Sequence, residues 1–235
     1  MSHGSLPDWV LLVFGLAAMP IASLLAGRRL VDARSGGREV LVRYRWIIGR
    51  GLLVSLALLC TWGATGRSFA SLGLGSDFDS RAWLGFGIDA LLLGAMAWQI
   101  FLLRPGPEQA ALIKRRLIDS HMAPQTRAEF VLFPQVALIG SIAEELFFRG
   151  FVFWMLGPML SVWGAAVASA LLFGIAHAYQ GRVGIIRTAL IGLTFGIGFA
   201  LTASLWWLII AHVLMNLTGY AMALKLRNVL PVQAG

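Results

Sequence analysis

The chain has 235 residues, 58% of them hydrophobic and only 13% charged, against about 25% charged in a typical soluble domain. That composition excludes an ordinary soluble domain and describes an integral membrane protein. The formal charge of +8 argues poorly for nucleic acid, because the basic residues sit between apolar runs: Arg28, Arg29, Arg34, Arg38, Arg43 and Arg45, then Arg104, Lys114, Arg115, Arg116 and Arg127. Positive charge so placed orients spans by staying on the cytoplasmic side, beside anionic lipid.

Crossing the hydrocarbon takes about 20 mostly apolar helical residues. Seven candidates follow one another at 8–27, 46–65, 82–103, 130–151, 159–178, 185–202 and 205–223. The predicted fold is therefore all-α, a polytopic membrane helical bundle. An open strand in lipid would leave backbone groups unpaired, and the alternation of an outer-membrane barrel is missing. The first run has no basic residue before it, so it reads as a retained span rather than a cleaved leader. Cys60, the single cysteine, rules out an intrachain disulfide and a multi-cysteine metal site. Within the apolar run Leu52–Trp62 it reads as a packed core thiol.

Residues 66–81 are Gly/Ser-rich and partly amphipathic, which suits a segment lying flat on the outer surface. Residues 104–129 hold Pro105, Pro107 and an amphipathic run, Ala110–Ile118, predicted to be a cytoplasmic interfacial helix. Asp89, inside the third span, is expected to pair with an inward arginine or to serve between helices. Arg50 can snorkel to the cytoplasmic surface. Gly192-x-x-x-Gly196 has the spacing of close helix packing, and Ser141 and Ser169 read as small residues at helix contacts. The nine tryptophans mostly suit interfacial anchoring. With the amino terminus outside, the loops 28–45, 104–129 and 179–184 and the tail with Lys225 and Arg227 are cytoplasmic. The outer segments then hold only Arg67 and Arg81, offset by Asp77 and Asp79. The expectation is a multi-pass protein of the inner (plasma) membrane, carboxyl terminus in the cytoplasm. Three regions follow: 1–129 with the first spans and basic loops, 130–223 as a core, and 224–235 as a tail.

That core carries the informative polar groups. The stretch Phe130–Leu156 has only three formal charges, Glu144, Glu145 and Arg149. An ionised carboxylate at membrane depth costs roughly 2.5–3.5 kcal/mol on insertion scales, and two adjacent ones call for a function. Glu145 and Arg149 are four apart and share a helix face, while Glu144 is turned about 100° away. That division suggests a buried structural pair, Glu145 with Arg149, and a working carboxylate, Glu144. Phe173 and His177 repeat the four-residue spacing on the fifth span, and His212 and Asn216 on the seventh. Together they supply a carboxylate, two imidazoles and an amide, a set able to activate water and hydrogen-bond an oxyanion.

The ordered set Glu-Glu-x-x-x-Arg, Phe-x-x-x-His and His-x-x-x-Asn, with the local Phe148-Arg149-Gly150, resembles the motifs of the CPBP intramembrane proteases. That family includes the type 2 CAAX prenyl endopeptidases and bacteriocin-processing or immunity relatives. The likeness covers about residues 130–220. It implies that Glu144 is the catalytic glutamate, with His177 its partner in activating water. It implies an oxyanion hole from His212 and Asn216, a supporting role for Glu145 and Arg149, and a shaping role for Phe173. The Glu/His set is chemically able to hold zinc, but no His-Glu-x-x-His motif occurs, so no cofactor is expected. The expected activity is endopeptidase cleavage of a membrane-associated protein, and the resemblance implies one prenylated or otherwise lipidated at its carboxyl terminus. A non-proteolytic scaffold or bacteriocin-immunity protein is the alternative. A proton-coupled transporter is disfavoured by the lack of a repeated half.

Overall fold

The computed structural model describes residues 5–13, 15, 17, 21, 38–102, 104–119 and 122–226. These are helical, with no strand among the described residues. Helical residues at 6–13, 15, 17 and 21, labelled α1, are followed by α2 (Arg38–Ala64), α3 (Ser80–Phe101), α4 (Pro107–Asp119), α5 (Arg127–Glu145), α6 (Val152–Ala176), α7 (Gly181–Thr202) and α8 (Trp206–Leu226). Most of the predicted first span, 8–27, lies outside the described residues.

Five helical stretches among the described residues are long and apolar enough to cross a membrane, the longest running 50 residues from Arg127 to Ala176. At 1.5 Å per residue that is ~75 Å, more than twice the hydrocarbon thickness. It is a hairpin. Ser161 breaks the helical path with φ 63° and ψ 167°, and Ser169 on the returning leg donates to the Phe148 carbonyl at 2.8 Å. The sequence placed the break at 152–158; helix persists through those residues, and the reversal comes at Ser161.

The other contacts fix how the passes align. Tyr44 packs on Phe133, and Trp62 on Phe151, so α2 and α5 run parallel. Lys225 at the end of α8 donates to the carbonyls of Gln99 and Ile100 at the end of α3. Gly192 and Gly196 bring α7 onto α6: a Cβ at Gly192 would meet Phe173 Cδ1 at 3.1 Å and Ala170 Cα at 3.3 Å, and one at Gly196 the Ala166 backbone oxygen at 3.3 Å. The predicted glycine spacing does pack helices closely. The buried core collects Trp62, Phe147, Phe148, Phe151, Phe173 and Leu208. Trp83, Leu84, Leu91, Trp98 and Phe101 of α3 face outward, a surface suited to lipid.

Local details correct several expectations. Residues 66–81 are mostly exposed but turn into the bundle at Leu72 and Gly73. Ser68 caps a 3-10 turn, Phe69–Leu72, and Gly73 closes it in the left-handed region. That turn drives Leu72 fully into the core, and Gly73 O accepts from Leu205 N at 2.8 Å. Arg81 pairs with Asp79 at 2.9 Å, but Arg67 pairs with Asp8 at 2.7 Å, not with Asp77 or Asp79. Asp79 also caps α3, and the Ala82 backbone N–H and the Arg81 guanidinium hold its carboxyl below the ordinary range. Cys60 is exposed on α2 rather than packed; the inward face there belongs to Leu58 and Trp62. Trp62 and Trp207 are core residues, whereas Trp46, Trp83, Trp98 and Trp163 face outward. The amphipathic run at Ala110–Ile118 does form a helix, α4, docked through Ala110 on Met222 and Leu226 of α8.

Candidate active site

The site is built where α5 changes its winding. Thr126 and Glu129 close a reciprocal capping box at the start of α5. At the other end, immediately after the two glutamates, Leu146–Phe151 widens into a π-helical segment. Such segments recur at functional sites because they shift ladder hydrogen bonds and re-aim side chains. Here the Phe148 carbonyl is taken by the Ser169 hydroxyl, which ties the widened turn to the returning leg. Gly150 makes the close packing possible, since a Cβ there would meet the Leu72 carbonyl at 3.1 Å.

Opposite this segment, α8 runs antiparallel to α5 in matched register. Asn216 Nδ2 donates to Ser141 Oγ at 3.1 Å, and His212 Nδ1 lies 2.7 Å from Glu145 Oε1. Both pairs are four residues apart on their own helix, so the two contacts are successive rungs one turn apart. A third link closes the frame. Glu145 Oε1 also accepts from Arg149 Nη1 at 3.0 Å, and Arg149 Nη2 donates to the Gly192 carbonyl on α7 at 3.2 Å. The guanidinium lies over the Phe173 ring at 4.6 Å and the Phe195 ring at 5.3 Å.

The two carboxylates are thus in different states. Glu145 is fully buried between a guanidinium and an imidazole. Glu144 has no guanidinium, keeps 22% of its side chain exposed, and holds Oε2 3.7 Å from His212 Nε2. That separation is too long for a direct hydrogen bond. Within the buried frame, Glu145 Oε2 and Arg149 Nε have no hydrogen-bond partner among the described residues.

Phe173 joins the second histidine to this frame. Its ring lies 4.5 Å from His177, 5.1 Å from Phe148 and 6.3 Å from His212, centroid to centroid. His177 Nδ1 is 2.8 Å from the Phe173 carbonyl, an acceptor only, so Nδ1 carries the proton and a neutral ring leaves Nε2 free to accept one. By the same logic His212 presents Nδ1–H to Glu145.

The seven sequence-predicted residues lie on α5, the π segment that follows it, the end of α6 and α8, and the Glu145–Arg149 pair forms as expected. Two placements differ from the simplest reading. His212 engages both glutamates, and His177 connects through Phe173 rather than bonding Glu144. Residues read from sequence only as helix contacts, Ser141 and Gly192, also take part, as does Phe195. Ser141 holds Asn216, and its place four residues before Glu145 was the available signal. The Gly192 carbonyl and Phe195 serve Arg149, for which the sequence gives no cue. Asp89, expected to pair with an inward arginine or to serve between helices, is buried, and among the described residues neither carboxyl oxygen is hydrogen-bonded. Among the described residues, no three His, Cys, Asp or Glu side chains are grouped to hold a metal ion.

Residues 126–218 match the family model of the Rce1-like, type II CAAX prenyl endopeptidases. The match covers less than half of the chain. The Bacillus subtilis (strain 168) protein named "Putative membrane peptidase YdiL" is 34% identical over 99 residues, which cover 42% of this chain. The match spans 40% of that relative's length. No solved structure matches the chain.

Proposed function

We propose that this multi-pass membrane protein is an intramembrane endopeptidase that hydrolyses a peptide bond of a membrane-associated protein. The target class is a protein with a prenylated or otherwise lipidated carboxyl-terminal region, in keeping with the family of residues 126–218. The observation that carries this reading is the unequal state of the two glutamates. Glu145 is locked in a frame, while Glu144 stands beside that frame, accessible and not bonded to the guanidinium, its Oε2 3.7 Å from His212 Nε2. An accessible acid next to fixed imidazoles is what activation of a water needs.

Glu144 and His177 Nε2 remove a proton from water, whose oxygen attacks the scissile carbonyl carbon. The charge that develops on the carbonyl oxygen is held by the Asn216 N–H not engaged with Ser141 and by His212 as the imidazolium, which donates through Nε2–H while Nδ1–H stays on Glu145. The proton then passes from Glu144 or His177 to the leaving nitrogen as the C–N bond breaks. These protein groups do the chemistry without a cofactor. Orientation follows from charge: Arg43, Arg45, Arg127 and Lys225 all belong to helix ends that the packing places together, which favours that face as cytoplasmic.

The test is mass spectrometry of protein termini in membranes carrying the wild type, Glu144→Ala or His177→Ala. Both variants are expected to insert at normal levels and to lose the cleaved termini. Wild-type cleavage by Glu144→Ala would remove it from the mechanism.

A further inference from the structure

The chemistry above leaves unused a groove between α2 and α5, near their amino-terminal ends. It measures about 480 Å³ and is lined by Leu41 and Arg45 of α2 and by Arg127, Ala128, Val131 and Leu132 of α5. Both arginines are exposed. The ion-paired arginines among the described residues are Arg67, Arg81 and Arg149, so neither cation of the groove has a protein counter-ion there. Glu129, the acid in the same turn of α5, is buried, and its Oε2 accepts from Gln125 N at 2.7 Å and Thr126 N at 3.2 Å. Trp46, next to Arg45, is exposed, as suits an aromatic anchor at headgroup height. Val131 and Leu138, seven apart on α5 and both exposed, extend the apolar lining along the span. Two cations above an apolar floor match an amphipathic anion, and a guanidinium fork binds phosphate oxygens in pairs.

We propose that this groove is a binding site for one anionic phospholipid. Its phosphate sits between the guanidinium groups of Arg45 and Arg127, and an acyl chain runs over Leu41, Val131 and Leu138. Because the arginines come from different helices, the lipid joins α2 to α5, the helix that carries Glu144 and Glu145. A free phosphate ion would satisfy the arginines and leave the apolar lining uncovered. A zwitterionic lipid would bring its own cation beside them. The site stands apart from the peptidase reading, since none of its residues belongs to the catalytic set.

Delipidated full-length protein in a neutral maltoside detergent is titrated with phosphatidylglycerol or with phosphatidylcholine of the same acyl chains. Bound lipids are counted by native mass spectrometry. The first phosphatidylglycerol is expected to bind about tenfold tighter or more, the scale of two arginines at one anionic headgroup. Combining Arg45→Gln with Arg127→Gln should erase that preference. Arg104→Gln, which removes a basic residue just beyond α3, should keep it. Combining Arg45→Lys with Arg127→Lys keeps the charge and loses the forks. It should retain part of the preference, and it decides the matter if the first double variant does not fold. Equal affinity for the two lipids, or a preference undiminished in the double variants, overturns the proposal. So does an equal fall with Arg104→Gln, which would mark diffuse surface charge. Displacement of the lipid by ammonium phosphate at the lipid's own concentration also overturns it, since the ligand would then be a free anion. A dimer lost in the first double variant with lipid preference unchanged does the same, because the groove would then be a contact between copies.

Discussion

Two regions of this bundle bury a carboxylate at membrane depth and treat it in opposite ways. At the contact of α5 with α8, Glu145 is fully buried and shared between Arg149 and His212. On α3, Asp89 is 6% exposed and neither oxygen finds a hydrogen bond. Sequence alone marks both as expensive acids in apolar spans. Convergence separates them: α5, α6, α7 and α8 all contribute to the Glu145 frame, whereas Asp89 has no hydrogen-bond partner among the described residues. Burial of charge therefore identifies a candidate, and a shared network identifies a site.

The comparison sharpens with substitutions of opposite expected sign. Arg149→Ala should have the largest effect, because removing one member of a buried pair typically costs about 3–5 kcal/mol. Unfolding in detergent should show a large fall in midpoint, with cleavage lost through loss of structure. Gly192→Ala should cost roughly 1–3 kcal/mol by overpacking against Phe173 and the Ala170 backbone. Its signature would be reduced cleavage, since the displaced ring contacts both His177 and the Arg149 guanidinium. Ser141→Ala removes one rung and leaves Asn216 short of a partner, for about 1 kcal/mol, read by the same unfolding assay. Asp89→Leu is the contrasting case, expected to be neutral or to stabilise by about 1 kcal/mol, since it replaces an unsatisfied acid by an apolar group of similar size. A large loss of stability in Asp89→Leu would mean that the acid has a partner after all.

Much of this contrast was readable from residue spacing. A four-residue interval puts two side chains on one helix face, so Glu145 with Arg149 was legible, as were the inward pairs on α6 and α8. Composition likewise gave the helical bundle and most span positions. What spacing cannot supply is register between helices. That Ser141 and Glu145 meet Asn216 and His212 as consecutive rungs depends on how α5 docks against α8, a property of the folded pair. The π segment at Leu146–Phe151 was equally hidden, because it is decided by the Ser169 hydroxyl on a distant leg and by the space that Gly150 leaves for Leu72. The hairpin at Ser161 was misplaced for a related reason: Pro158 is tolerated within a membrane helix, and the true break falls on a serine with a positive φ.

The central claim is that neighbouring glutamates divide the work, Glu144 reacting and Glu145 holding the frame. Its most direct test measures cleavage rate and unfolding midpoint together for Glu144→Gln and Glu145→Gln. Glu144→Gln is expected to unfold with the wild type and to cleave nothing, while Glu145→Gln unfolds markedly earlier. A Glu144→Gln protein that cleaves at the wild-type rate, or a Glu145→Gln protein as stable as the wild type, would contradict the division.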